Sequence, residues 1–216
     1  MNKRCLFWGL FMFAMNAGAQ PRACDTVDAQ MEEMVTTDQQ IREESMLLDQ
    51  KPDAPAAEKA DLRQRWSTID RDNLKQFKEI VGRCGWPTTR KYTHMAWLLA
   101  QHADSDPAFQ RVARGLIEAS VRKGIAAPRD LAYIADRIAA NERRPQEYGT
   151  QFSQPDRCHL VLDPVDDREL VNRRRLAIGL TSLEAYEAEG RRRFIPADCS
   201  TAASERQHVE ADGNNR

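Results

Sequence analysis

Between residues 24 and 84 the chain carries two apolar stripes at helical spacing, divided by one proline-broken segment. Cys24, Val27, Met31, Met34, Asp38, Ile41, Ser45 and Leu48 recur every three or four positions, the spacing of one helical face, and predict a helix over about 24–50. Leu62, Trp66, Ile69, Asn73, Phe77, Ile80 and Cys84 share one face of a second helix, although "STID" at 67–70 would also serve as a cap dividing it. Gly85-Trp86-Pro87 closes that helix: a glycine for the cap, a tryptophan to pack back, and a proline that prevents continuation. The break "DQKPDAPAAEK" is short and punctuated by Pro52 and Pro55. Two helices of similar length on a short connection return antiparallel, each burying its stripe against the other. The start of the first then lies beside the end of the second, which places Cys24 next to Cys84.

A disulfide there requires an oxidising compartment, and the first residues supply the route. "MNKRCLFWGLFMFAMNAGAQ" has a basic start at Lys3 and Arg4, an apolar run from Cys5 to Met15, and an Ala17-Gly18-Ala19 cleavage site. This is the pattern of a secretory signal peptide over 1–19, its run too short to span a bilayer. Four of the five cysteines remain after its removal: Cys24, Cys84, Cys158 and Cys199. An even count in an exported chain reads as two disulfides. With Cys24 paired to Cys84, Cys158 is left for Cys199. No pair has zinc spacing and there is no haem-attachment motif, so neither metal nor cofactor is expected. The expected location is the periplasm or the exterior, with no stable membrane anchor after cleavage.

Beyond the hairpin, three more helices are predicted at about 90–103, from Ser105 or Asp106 with Pro107 in the first turn, and at about 128–142. The fourth helix is expected to bury Phe109, Val112, Leu116 and Ile117. "QEYGTQFSQPDRCHLVLDP" is non-helical, with room for a short hairpin near 146–165 that ends in "HLVL". Two last helices cover 167–177 and 181–193, separated by Gly179, before the polar, aperiodic tail 200–216, which is expected to be disordered. The fold class is therefore all-α, with one domain over 20–199. The whole chain has 32 Lys and Arg against 33 Asp and Glu, and Lys3 and Arg4 leave with the signal peptide. That near balance excludes the global positive charge of a nucleic-acid binder.

Polar residues interrupt the buried stripes. "LAYIADRIAA" at 131–140 is apolar nearly all round, as in a buried helix, yet it holds Asp136-Arg137. Asp38 interrupts the first stripe and Asn73 the second, and His102 follows Met95, Leu98 and Leu99 on the inner side of the third helix. Unpaired, each would cost on the order of 1–3 kcal/mol. The simplest joint expectation is that these groups meet each other or a shared polar pocket.

In these positions the chain resembles a bacterial family known only as a domain of unknown function (DUF6624-like). The resemblance is carried by "DQxxR" (Asp38, Gln39, Arg42), Asn73 ahead of "GWP", "QHAD" (Gln101 to Asp104), "DR" (Asp136-Arg137), "QxYGTQ" (Gln146, Tyr148 to Gln151) and "R…GL" (Arg175, Gly179-Leu180). It covers roughly 38–186; "QxYGTQ" and "QHAD" are its specific parts. It implies an all-α domain with a shared polar site and brings no established activity. The cysteines and the leader depart from the family's usual pattern.

His102 with Asp38 or Asp136 has the makings of a general-base pair, so His102 and Asp136 are the candidate catalytic residues. Arg42 and Arg137 suit bidentate contact with an anionic group. With Asp38, Asn73, Tyr148 and Gln151 they form the candidate ligand-binding set, and Gly149 permits an unusual turn in the "YGTQ" loop. No nucleophile elbow, P-loop or H-E-x-x-H motif is present. Two functions stand side by side. One is recognition of a small polar ligand or peptide, with hydrolysis that uses a histidine base. The other is a non-enzymatic module that binds a protein partner, of inhibitor or immunity type, in which the polar cluster only specifies the fold.

Overall fold

A computed structural model describes residues 24–51 and 53–199; the expected signal peptide at 1–19, residues 20–23 and 52, and the polar tail at 200–216 lie outside the described residues. Seven helices and one small hairpin follow in the order α1 (Val27–Asp49), α2 (Ala56–Cys84), α3 (Arg90–Gln101), α4 (Pro107–Arg122), α5 (Pro128–Asn141), β1 (Phe152–Asp156), β2 (His159–Leu162), α6 (Arg168–Ala177) and α7 (Leu183–Phe194).

The two stripes do form an antiparallel pair, α1 against α2, and α3 packs on both. The first helix starts at Val27, after a turn at 24–26, and α2 runs unbroken through the "STID" sequence. Gly85 closes α2 with a φ of 80°, and Trp86 folds back to lie 5.7 Å from the Phe77 ring. Both disulfides are those expected: Cys24–Cys84 across the open end of the helix pair, and Cys158–Cys199 from the β-hairpin turn to the residues after α7. The segment near 146–165 is the short hairpin, its ladder bulged between Ser153 and Asp156, where Pro155 has no N–H to donate.

α3 is the central element, in contact with α1, α2, α4 and α5. Ala96 and Ala100 are buried along it and Ala103 just past its end, and their small side chains let the neighbouring helices approach closely. Around them lie Met31, Met34, Phe77, Leu99, Ile117, Ile134 and Ile138. A second, smaller apolar cluster, Ile41, Leu48 and Leu62, sits towards the connected end of the α1–α2 pair, with Trp66 and Ile69 against it. Along α1, Asp38 falls between Met34 of the first cluster and Ile41 of the second. One burial expectation is corrected: Val112 is 59% exposed and Leu116 only half-buried. Phe109 and Ile117 are buried as expected, and Ala113 and Ser120 complete the inward face, spaced four, four and three residues apart.

Candidate functional site

The site is built where α3 ends. His102 is the residue capping that helix, its backbone N–H still bonded to the last turn. Carbonyls left unpaired at a helix C-terminus favour a cationic neighbour. Its Nδ1 lies 2.9 and 3.0 Å from the two oxygens of Asp38, which is 1% exposed. One turn along α1, Arg42 Nη2 donates to Asp38 Oδ1 and to Asp70 Oδ1, both at 2.9 Å. The other Asp70 oxygen accepts from Trp66 Nε1 at 2.8 Å, and the Arg42 guanidinium lies 4.7 Å from the centre of the Trp66 ring.

Two groups compete for His102 Nδ1. Arg42 Nε lies 3.0 Å from His102 Nδ1 and 3.3 Å from Asp38 Oδ2, and an arginine nitrogen always carries its proton. Without a proton Nδ1 accepts from Arg42 Nε; with one it donates to Asp38, whose two oxygens lie near 3 Å. In the second case the opposite nitrogen, Nε2, is the basic one in the neutral ring, and it makes no hydrogen bond to the described residues. The ring lines a cleft of roughly 560 Å³ together with Arg63, Trp66, Ser67, Asp70, Arg71, Asp104 and Ser105. Trp66 also lines a second cleft of roughly 490 Å³, with Gln39, Met46, Gln154 and Phe194.

Burial pushes the Asp38 carboxyl up, but the His102 hydrogen bond and the charges of His102 and Arg42 hold it below the ordinary carboxylate value. Asp70 goes the other way: burial raises it, and the nearby Arg42 charge does not compensate. Asp104, two residues after His102, accepts from Arg137, Asn141 and Gln110. Burial again opposes its ionisation, but Arg137 leads the contacts that bring Asp104 below the ordinary value.

The expected polar residues thus divide into separate groups. Asp38, Arg42 and His102 meet. Arg137 joins them only through the "QHAD" segment, paired with Asp104 and, at 3.3 Å, with Gln151 Oε1. Asn73 turns away and donates to the Met34 carbonyl at 3.2 Å. Asp136 is fully buried, and its oxygens accept the backbone N–H groups of Glu147, Tyr148 and Thr150 at 2.8–3.1 Å. The carboxylate that meets His102 is therefore Asp38. Tyr148 gives this clasp its backbone, its carbonyl accepting from Arg175 at 2.7 Å, and Gln151 Nε2 bonds Thr150 Oγ1 at 2.9 Å. Arg42 and Arg137, the candidates for bidentate contact with an anionic group, are each bonded to carboxylates within the domain.

A family model described as a family of unknown function (DUF6624) matches residues 26–190. The chain belongs to this family. No curated protein and no solved structure matches it. Within this DUF6624 domain, "DQxxR" and "QHAD" build the histidine cluster, while "DR", "QxYGTQ" and the arginine of "R…GL" build the clasp around Asp136. Among the described residues no group of three or more His, Cys, Asp or Glu is arranged to hold a metal ion.

Asp70 and Trp66 are the members that sequence reasoning missed as site residues. The signal was present: Asp70 lies one turn beyond Trp66 and three residues before Asn73, beside the stripe that faces α1. A second histidine–carboxylate contact, His94 Nδ1 to buried Asp130 at 3.2 Å, occupies the other end of α3, with Trp97 stacked on the imidazole. No spacing between α3 and α5 announces that pair.

Proposed function

We propose that this domain is an exported, periplasmic or secreted protein that binds a small polar ligand or peptide in the cleft beside α3 and hydrolyses it, with His102 as general base. One observation carries the reading: the imidazole of His102 is held through Nδ1 by a buried carboxylate while the ring lines a cleft. In that arrangement Nε2 takes a proton from water, whose oxygen adds to a carbonyl or phosphoryl centre of the ligand. The imidazolium, stabilised by Asp38, then returns the proton to the leaving group as its bond breaks. Arg42 is a positioning residue that fixes Asp38. Export is supported by the leader sequence and by the two disulfides. Among the described residues no helix is long and apolar enough to cross a membrane.

The second reading, a partner-binding module with an architectural cluster, is favoured by one fact: Asp38, Asp70 and Asp104 are each already paired with an arginine. Thermal unfolding of the wild type against His102→Asn separates the two. A site held for chemistry tolerates the change, with a melting temperature unchanged, raised or lowered by only a few degrees. A structural network loses several kcal/mol, and a fall of about 10 °C or more would replace the hydrolytic reading with the architectural one.

A further inference from the structure

We infer that the ligand of the His102 cleft is an anion, a phosphate- or carboxylate-bearing small molecule whose negative end is held by Arg63 and Arg71 of α2. This inference rests on the reading of His102 as the base, and names the class of molecule that base would serve.

Three carboxylates belong to the cleft or lie directly behind it, and all are paired from within: Asp38 and Asp70 share Arg42, and Asp104 pairs with Arg137, which leaves one negative charge against the two arginines at the mouth. The cations at the mouth are in a different state. Arg63 makes no ion pair with the described residues, and Arg71 contacts only its sequence neighbour Asp72, at 3.3 Å, with both side chains well exposed. Arg63, Ser67, Asp70 and Arg71 fall on one face of α2 by their spacing, and all four line the cleft. At a rise of about 1.5 Å per residue the two arginines stand roughly 12 Å apart along the helix axis, with Ser67 midway. Ser105 adds a hydroxyl from the far wall, beside His102.

A neutral or cationic ligand would leave both arginines unused. An anion gains their charge-assisted hydrogen bonds, and guanidinium groups match the geometry of carboxylate and phosphate oxygens. The second cleft, across Trp66, lacks this bias: Arg42 is bonded to Asp38 and Asp70, and Arg193 shares the lining with two carboxylates, Glu43 and Asp49, among the amides Gln39, Gln50 and Gln154.

The test is calorimetric titration of the full chain at fixed ionic strength with inorganic phosphate, with N-acetyl-dialanine bearing a free carboxylate, and with the C-terminal amide of that dipeptide. The expected result is saturable millimolar or tighter binding of an anion and none of the amide. Arg63→Gln or Arg71→Gln should weaken it about 10-fold, equivalent to about 1.4 kcal/mol, without moving the melting temperature of the free protein. Binding of phosphate alone identifies phosphate esters as the source; binding of the free dipeptide alone identifies peptide C-termini. Binding of the amide as tightly as the acid overturns the inference, as does wild-type affinity in the arginine variants or failure of both anions to saturate. His102→Asn keeps the two levels apart. Anion binding that survives in this variant, with the arginine dependence intact, supports the anion site whether or not His102 proves to be a base. A neutral ligand turned over in a His102-dependent way, with no anion bound, leaves the base standing and removes the anion site.

Discussion

Two aspartates on buried helix faces look alike in sequence and behave differently in the fold. Asp136 on α5 is completely enclosed and spends both oxygens on backbone N–H groups of the 147–150 loop. Asp38 on α1 is as deeply buried, yet its partners are side chains, and one of them, His102, reaches a cleft. Facing Asp136, the buried Arg175 donates to the carbonyls of Tyr148, Gly149 and Thr181. The loop is thus gripped through donors on one side and acceptors on the other. A group that satisfies backbone cannot be lost without losing a local structure. A group that orients another side chain is replaceable at smaller cost to the fold, and its loss appears in chemistry.

The largest effect expected from breaking this contrast is that of Asp136→Asn. The amide keeps one acceptor and turns an NH2 group towards donors, which should cost about 3–5 kcal/mol and lower the melting temperature by about 10 °C or more. Thermal and urea unfolding would measure it; a change within a degree would mean that the clasp carries little of the fold's stability. Gly149→Ala acts on the same loop. Gly149 has a φ of 64°, and a Cβ there would lie 2.6 Å from Leu183 Cδ1 and 3.2 Å from Val165 Cγ1. A cost of about 1–3 kcal/mol is expected in the same denaturation experiment.

The acid limb of the stability curve should distinguish the two carboxylates by sign. Asp38 has a depressed folded value, so its contribution is present above its unfolded pKa and is lost as pH falls through the depressed one. Asp136 is raised, because burial outweighs the backbone hydrogen bonds. Its linkage term favours folding below the unfolded pKa and is lost as pH climbs through the folded value. Subtracting each Asn variant from the wild type between pH 2 and 6 should therefore give differences of opposite slope, each at most about 1.4 kcal/mol per pH unit. Equal slopes would contradict the contrast. The smallest stability effect is expected from His102→Asn, about 1 kcal/mol or less, since Arg42 still pairs Asp38. In the wild type, nitrogen NMR of the His102 ring should report a protonated Nδ1; a proton on Nε2 in the neutral ring would exclude it as the base.

Much of this architecture was legible in residue spacing. The helix pair, both disulfides and the irregular segment near 146–165 follow from stripes, cysteine positions and punctuation. The misreadings share a cause. Val112 was expected inside because it is apolar, but the α4 face that packs is chosen by α3 and α5. Asp136 and His102 both interrupt apolar faces and so suggest one network, but periodicity reports a direction relative to a helix axis, not which neighbour waits there.

The sequence by itself determined which faces are buried and that polar groups lie on them, because helical period and the cost of burying unpaired charge are local and general. Only the tertiary structure decided that Asp38 belongs to His102 and Asp136 to a loop, and that Asp70 joins the first group. Those pairings depend on the rotation and offset of helices far apart in the chain. Packing of the intervening side chains sets both.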